Sequence, residues 1–176
     1  MLIVYFLIIA AVIAADQVTK VLISGNFEPG ESLDLIKGVF RFTYVRNEGA
    51  AFGMLADKRW IFIVLSTIGI AAVIFYVVKY RPESKWLTVA LALITGGGIG
   101  NMIDRLRLKY VVDFIDFYAF GELWKWVFNV ADAAVCIGGA MLALWFISDT
   151  VAEIRREKQA KAGDAGNSGE SFEDKK

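Results

Sequence analysis

Long apolar runs alternate with short charged segments along the chain. A helix that crosses a bilayer needs about 20 mostly apolar residues, and three runs are close to that length. These runs extend from Trp60 to Val78, from Trp86 to Ile103 and from Trp126 to Ser148. The last contains Asp132, whose cost of about 3 kcal/mol at mid-helix is offset by its many Leu, Ile, Phe and Val residues. The pattern therefore predicts three membrane-spanning helices.

The N-terminal apolar run, Met1 to Ala15, is too short to span a bilayer alone. At 1.5 Å per residue it covers about 22 Å of a hydrocarbon core about 30 Å thick. One interpretation is a cleaved signal peptide, since small residues precede Asp16. However, no Lys or Arg precedes the run, as is usual for such peptides. We favour a fourth spanning helix that continues through Asp16, Gln17 and Lys20 to Ile23.

Composition narrows the class of protein. The chain is 57% hydrophobic, which is too apolar for a soluble domain, and its 19 basic and 19 acidic residues leave no basic excess for binding nucleic acid. There is no histidine, which excludes Ser-His triads, Cys-His dyads and most zinc sites. We expect no metal or other cofactor. The single cysteine, Cys136, excludes an internal disulfide and is best explained as a small packing residue.

Basic residues indicate which side of the membrane each connection occupies. The connection after the second span contains Lys79, Arg81 and Lys85, and the segment after the last span contains Arg155 and Arg156. Connections rich in Lys and Arg remain in the cytoplasm. We therefore expect both termini in the cytoplasm and two larger loops, at about 24–59 and 105–125, on the outer side.

The chain divides into a membrane domain, residues 1–152, and a charged C-terminal segment, residues 153–176. This segment is rich in charge, Gly and Ser and contains almost no large apolar residue. Such a composition cannot bury a core and is typical of disorder. We expect a disordered cytoplasmic tail.

The outer loops contain their own structural patterns. Aromatic residues alternate with others from Phe40 to Arg46, which predicts a half-buried strand. Asn47, Glu48 and Gly49 then supply turn residues. The second outer loop is rich in aromatic residues, which favour the membrane interface.

Ionisable residues within membrane spans usually face a site or one another. Asp16 and Lys20 lie four residues apart on one helix face, so they either form an ion pair at the helix end or contact a substrate. Asn101, Asp104 and Arg105 follow one another along one face at the end of the third span, where Arg105 is either an interfacial anchor or part of a site.

Gly96 and Gly100 have the spacing that allows two membrane helices to approach closely. No Lys-Ser or Lys-Thr pair follows them, as a phosphate-binding loop would require. We therefore interpret both glycines as packing residues.

Three acids lie near the outer end of the last span: Asp113, Asp116 and Asp132, the last with Asn129 one turn before it. Two carboxyl groups that meet in a cleft share one proton, because both cannot ionise cheaply. One can then take a proton from water while the other protonates a carbonyl oxygen, which is the chemistry of an aspartic protease and needs no histidine. The residues alone do not rank Asp113 above Asp116.

The chain resembles the lipoprotein signal peptidases (signal peptidase II), which are bacterial membrane aspartyl proteases. The resemblance covers about residues 1–150 and rests on five ordered motifs: DQVTK from Asp16, NEGAAFG from Asn47, GGGIGNMIDR from Gly96, VVDF from Val111 and FNVAD from Phe128. It implies a mainly α-helical fold, a bundle of four transmembrane helices with a small extracytoplasmic β-cradle and an interfacial helix. The strand from Phe40 to Arg46 would belong to the cradle.

The resemblance also implies a role for each matching residue. The catalytic pair falls on Asp113 and Asp132, so Asp116 becomes the less favoured acid. Asp104 is implied to be structural. The implied substrate-binding and supporting residues are Asp16, Lys20, Asn47, Gly49, Asn101, Arg105 and Asn129.

The implied reaction is hydrolysis of the peptide bond before the diacylglyceryl-modified cysteine of a prolipoprotein, at the outer face of the bacterial inner membrane. The expected partners are such substrates and membrane lipids, with no nucleic acid, and the protein would act as a monomer. Two other classes remain as alternatives, a small proton-coupled transporter and a structural membrane subunit. A transporter would show a repeat, and none is visible.

Overall fold

The fold contains four long helices and one small sheet. The computed structural model describes residues 1–49, 59–119, 121 and 126–170, without the side chains of 59, 62 and 160–170. The helices are α1 (Leu2–Asn26), α2 (Arg59–Tyr80), α3 (Lys85–Arg107) and α4 (Val130–Glu170). The strands are β1 (Ser32–Ile36), β2 (Phe40–Asn47), β3 (Val111–Phe117) and β4 (Val127–Phe128).

Each helix contains a stretch long and apolar enough to cross a membrane, which confirms the four predicted spans. The first helix continues past Asp16 and Lys20, as expected from the shortness of the apolar run. Both residues are buried although most of the α1 surface is exposed. The polar end of α1 is therefore turned toward the protein interior.

Helix α3 lies at the centre of the bundle and packs against each of the other three helices. Its start is capped by Ser84, whose hydroxyl accepts a hydrogen bond from the backbone N–H of Leu87 at 3.2 Å. Its glycines allow close approach to α1, since a Cβ at Gly96 would lie 2.9 Å from the Cβ of Val12. Helices α1 and α3 therefore approach each other closely at this glycine.

The four strands form an antiparallel sheet in the order β1-β2-β3-β4. Strand β2 confirms the predicted strand from Phe40 to Arg46. Strand β3 falls within a segment that was predicted to be a loop, because it lacks polar alternation: its first four residues, Val111 to Phe114, are all buried.

A hydrophobic core fixes the sheet to the helices. Ile23 of α1 packs with Tyr44 of β2 and with Val112 and Phe114 of β3. Val130, the first residue of α4, also contacts this cluster. The sheet therefore sits on one end of the bundle, where α1 ends and α4 begins.

The division of the chain at residue 153 into a membrane domain and a disordered tail stays a prediction. Helix α4 continues to Glu170, well beyond residue 153. Ala, Glu, Arg, Lys and Gln dominate the segment from Ala152 to Lys161 and have high helix propensity, and extending an existing helix has no nucleation cost. Residues 171–176 lie outside the described part, as do Ala50 to Gly53 of the second motif and 122–125 of the aromatic loop. The interfacial helix stays a prediction.

Candidate active site

Asn129 and Asp132 cap the N-terminus of α4. The backbone N–H of Asp132 donates to Oδ1 of Asn129 at 2.9 Å, and the backbone N–H of Asn129 donates to Oδ2 of Asp132 at 3.1 Å. This reciprocal pattern is a capping box, in which two side chains satisfy N–H groups that have no partner within the helix. The position also favours a negative charge on Asp132, because the helix N-terminus is positive.

Asn129 also links Asp132, on α4, to Asp113, on β3. Its side-chain amide, which is fully buried, donates to Oδ1 of Asp113 on β3 at 2.6 Å. Asn47, at the end of β2, donates to the other oxygen of Asp113 at 2.8 Å. Asp113 and Asp132 are therefore brought together through one amide, although they lie on different elements.

The carboxyl group of Asp113 has a raised pKa. It is only 2% exposed, and burial raises its pKa from 3.8 to about 7, while the hydrogen bond from Asn47 acts in the opposite direction and the charge of Asp132 adds to the rise. Near neutral pH this carboxyl group is about half protonated. Such a group can both hold and release a proton under working conditions.

Asn101 of α3 links the acids to a second cluster. Its amide nitrogen donates to Oδ1 of Asp132 at 2.7 Å. Its oxygen accepts from Lys20 at 2.9 Å and from the amide of Asn129 at 3.1 Å. With both ends of the amide occupied, the side chain is fixed in one orientation.

The second cluster surrounds Lys20. Its ammonium group lies 2.9 Å from Asp16 and 3.0 Å from Asp104, and all three side chains are buried. Asp16 also accepts from the backbone N–H of Ala131 at 3.0 Å, and Asp104 accepts from that of Val112 at 3.1 Å. The cluster thus ties α1 and α3 to the first residues of α4 and β3.

Gln17 is also part of this cluster, although the sequence pattern predicted no role for it. Its amide donates to Asp16 at 3.1 Å, to Asp104 at 3.0 Å and to the carbonyl of Gly100 at 3.3 Å. Gly100 has no room for a side chain, since a Cβ there would lie 2.6 Å from Oδ2 of Asp16. The pattern Asp-Gln at the polar end of a membrane helix was the available signal for Gln17.

Both acids line a cavity of about 530 Å³ between α2, α3, α4 and the sheet. Its polar lining includes Asn47, Gly49, Asn101 and Arg105, and its apolar lining includes Ile70 and Val135. The backbone N–H of Gly49 donates to Oδ1 of Asn47 at 3.2 Å, which orients that amide. Ser66 and Cys136 also line the cavity, although Cys136 was expected only to pack.

Arg105 lies close enough to both acids for their charges to act on it. Its guanidinium group donates to the backbone carbonyl of Asn101 at 3.3 Å. It therefore contributes positive charge to the wall of the cavity rather than lying at the surface as a simple anchor.

Asp116 lies apart from this site. Its carboxylate accepts from Arg41 at 2.6 Å and from the hydroxyl of Thr43 at 2.8 Å. It lies three positions after Asp113 along β3, so the two side chains project from opposite faces of the sheet. The strand geometry thus separates two acids that the residues alone did not rank.

Within the described ranges, no group of three or more His, Cys, Asp or Glu side chains is arranged to hold a metal ion. The chemistry available to the cavity is that of two carboxyl groups, several amides and one guanidinium group. This set can position a water molecule and move its proton.

Comparison with known proteins places these residues in context. The family model for signal peptidase (SPase) II matches residues 8–148. A lipoprotein signal peptidase from Halothermothrix orenii is 43% identical over 140 residues, which cover 80% of this chain and 92% of that protein.

Two solved structures have the same fold. One, described as a "Bacterial membrane enzyme structure by the in meso method at 2.3 A resolution", superimposes with a TM-score of 0.78 at 34% identity and covers 84% of this chain and 89% of its own. A second, described in the same words at 1.9 A resolution, has a TM-score of 0.76 at 34% identity and covers 83% and 94%.

Proposed function

The chain belongs to the signal peptidase II family of membrane proteases, and we propose that it is an aspartic endopeptidase whose catalytic pair is Asp113 and Asp132. The observation that carries this proposal is the position of Asn129 between the two acids: its side-chain amide donates to Asp113, its backbone N–H donates to Asp132, and both carboxyl groups line one cavity. Two carboxyl groups that meet in one cleft can share a proton, which is the requirement for acid–base hydrolysis without histidine.

The proposed reaction divides the work between the two acids. Asp132, stabilised as a carboxylate by the N-terminus of α4 and by Asn101, takes a proton from water. The water oxygen bonds to the scissile carbonyl carbon while Asp113 gives its proton to the carbonyl oxygen. Asp132 then passes its proton to the leaving amine as the carbon–nitrogen bond breaks, and Asp113 recovers its own from the hydroxyl group.

The proposed substrate is a prolipoprotein, cut before its diacylglyceryl-modified cysteine. The cavity combines the polar groups of Asn47, Asn101 and Arg105, which suit a peptide backbone, with the apolar side chains of Ile70 and Val135, which suit acyl chains. Lipid bound between helices would hold the scissile bond against the acids, so that remote binding energy accelerates the reaction. Membrane lipids would surround a monomeric enzyme.

The proposed orientation has both termini in the cytoplasm. The connection between α2 and α3 contains Arg81 and borders Lys79 and Lys85, and the sheet lies at the opposite end of these helices. The positive-inside rule places that connection in the cytoplasm and hence the sheet and the acids at the outer face.

The test compares the parent protein with Asp113→Asn, Asp132→Asn and the matched control Asp116→Asn. Each is purified and given one prolipoprotein with and without the diacylglyceryl group. We expect the parent and the control to cut only the lipidated form, and both dyad variants to fold but lose cleavage. Near-parent turnover by either dyad variant would remove that acid from the mechanism, and equal cleavage of both substrate forms would refute the role of the lipid.

A further inference from the structure

One wall of the cavity is formed by α2, which contributes a hydroxyl group to it. Ser66, Gly69 and Ile70 of this helix line the cavity. They form one stripe, since residues three and four positions apart lie on the same face of a helix. Leu65 and Ile68 lie on other faces and are each 62% exposed. The side chain of Ser66 is therefore turned toward the cavity rather than toward the outer surface of the bundle.

Ser66 lies at the depth of the proposed catalytic acids. The hydroxyl group of Thr67, the next residue, donates to the sulfur of Met102 at 3.4 Å. This turn of α2 is therefore level with the turn of α3 that contains Asn101, whose amide donates to Asp132 at 2.7 Å. Ser66 and the acids thus lie at one level of the cavity, with Ser66 on the wall formed by α2.

The lining of the cavity becomes apolar farther from the sheet. Helices α2 and α4 both begin at the sheet end of the bundle. Ile70 comes one turn after Ser66, and Val135 comes three residues after Asp132. Ile70 also reaches α3, because a Cβ at Gly98 would lie 3.2 Å from its Cδ1 atom. Ser66 therefore lies at the boundary between the polar part of the cavity, beside the acids, and its apolar part.

The hydroxyl group of Ser66 is available to a ligand. Within the ranges that the structure describes, it forms no hydrogen bond. The neighbouring hydroxyl of Thr67, by contrast, donates to the backbone carbonyl of Ile63 at 2.6 Å. A hydroxyl group in apolar surroundings is costly without a partner, so an acceptor atom placed at this boundary would gain a hydrogen bond from Ser66.

We propose that Ser66 is a specificity-determining residue whose hydroxyl donates to an ester carbonyl of the diacylglyceryl group on the substrate cysteine. The inference rests on the proposed function and names the part of the lipid that this wall recognises. In that substrate the ester carbonyls lie between the cysteine, next to the scissile bond, and the acyl chains. With the scissile bond at Asp113 and Asp132 and the chains beside Ile70 and Val135, the carbonyls lie at the level of Ser66.

The experiment compares two lipidated peptides of the same sequence and chain length. One has two acyl esters on its glyceryl group, and the other has two alkyl ethers and therefore no carbonyl oxygen for Ser66 to contact. KM and kcat for each are measured with the parent, with Ser66→Ala and with the matched control Thr67→Val. The control removes a hydroxyl from the same turn, one that already has a partner in the helix.

We expect Ser66→Ala to raise KM for the diester by about three- to tenfold, the range for one neutral hydrogen bond. The kcat should stay the same, because the contact is equally strong in the ground state and the transition state. KM for the diether should not change, and Thr67→Val should match the parent on both peptides. An equal rise for the two peptides, no rise for the diester, or the same rise in Thr67→Val would overturn the proposal.

A binding measurement separates this inference from the proposed function. If the parent cuts neither peptide, the proposed function fails, and the Kd of each peptide for the parent and for Ser66→Ala then tests the contact by itself. Ser66→Ala should raise the Kd of the diester about three- to tenfold and leave that of the diether unchanged. Equal changes for the two peptides, or no change for either, would remove Ser66 from lipid recognition.

Discussion

Two pairs of acids lie within one polar network, and their partners differ. Asp16 and Asp104 share the ammonium group of Lys20, at 2.9 and 3.0 Å. Asp113 and Asp132 are held by the amides of Asn129 and its neighbours and line the cavity. All four acids are aspartates, so residue type by itself does not distinguish them.

The difference shows how the same side chain serves structure or chemistry. A carboxylate paired with a buried cation compensates the charge of that cation, and removing one partner of such a pair is strongly destabilising. A carboxyl group held by neutral amides can gain or lose a proton with less consequence for its surroundings. The ion-paired acids therefore suit assembly of the bundle, and the amide-held acids suit proton transfer.

The largest expected effect is on cleavage, and it should distinguish substitutions in the amide-held pair from those in the ion-paired pair. Asp113→Asn should lower cleavage by about 10²- to 10⁴-fold, the range for loss of an acid–base group, with little change in stability because a costly buried carboxyl group is removed. Asp104→Asn should lower thermal stability more than Asp113→Asn does, because it weakens the ion pair with Lys20. Turnover and detergent thermal unfolding measured on both variants decide the matter. A stability loss in Asp113→Asn as large as that in Asp104→Asn would erase the distinction.

The next largest effect is expected on stability when the charge of Lys20 is removed. Lys20→Met should destabilise the protein by about 3–5 kcal/mol, the cost of leaving buried charges without their partner. Denaturant or thermal unfolding measures this change, with the exposed Lys79→Met as the matched control. The comparison would fail if both substitutions had the same small effect.

The comparison also predicts a pH dependence. Above about pH 7 Asp113 loses the proton that the reaction requires, so cleavage should fall about tenfold per pH unit. The folded pKa is raised from 3.8, so the stability contribution of this group is full below about pH 4 and is lost as pH rises through about 7. A pH–rate profile of the parent and of Asp116→Asn should show the same alkaline limb, and a profile that is flat to pH 9 would contradict the role of Asp113.

The smallest effect is expected at the third acid. The ion pair between Asp116 and Arg41 is partly exposed, since the Arg41 side chain is 36% accessible. Breaking such a pair costs about 1 kcal/mol or less. Asp116→Asn should therefore unfold within a few degrees of the parent and cut at the parent rate. A loss of cleavage comparable to that of Asp113→Asn would move Asp116 into the site.

Much of the fold followed from hydrophobic patterning. Run length predicted all four helices, and the shortness of the first run predicted that α1 continues through Asp16 and Lys20. The aromatic alternation from Phe40 predicted β2. These signals are local, since membrane thickness and strand pleat impose them on each segment separately.

The arrangement of the site was not local and could not be derived in the same way. The pairing of Asp104 with Lys20 and the contacts of Gln17 join α1 to α3, across more than 80 positions of sequence. The capping box was visible as Asn129 and Asp132 three residues apart, a known pattern before a helix, but its link to Asp113 depends on the path of β3. Buried β3 itself lacked the alternation that reveals a half-exposed strand.

Asn129, which connects several residues of the polar network, comes late in the sequence. Asn129 orients one acid, begins the last helix and meets Asn101, whereas Asp16, Lys20 and Asn47 are made much earlier. A chain still emerging from the ribosome therefore lacks both Asn129 and Asp132 until the final span has been synthesised. Partly made copies would lack one acid of the proposed catalytic pair and the amide that orients the other, so the proposed site would be completed only with the last span.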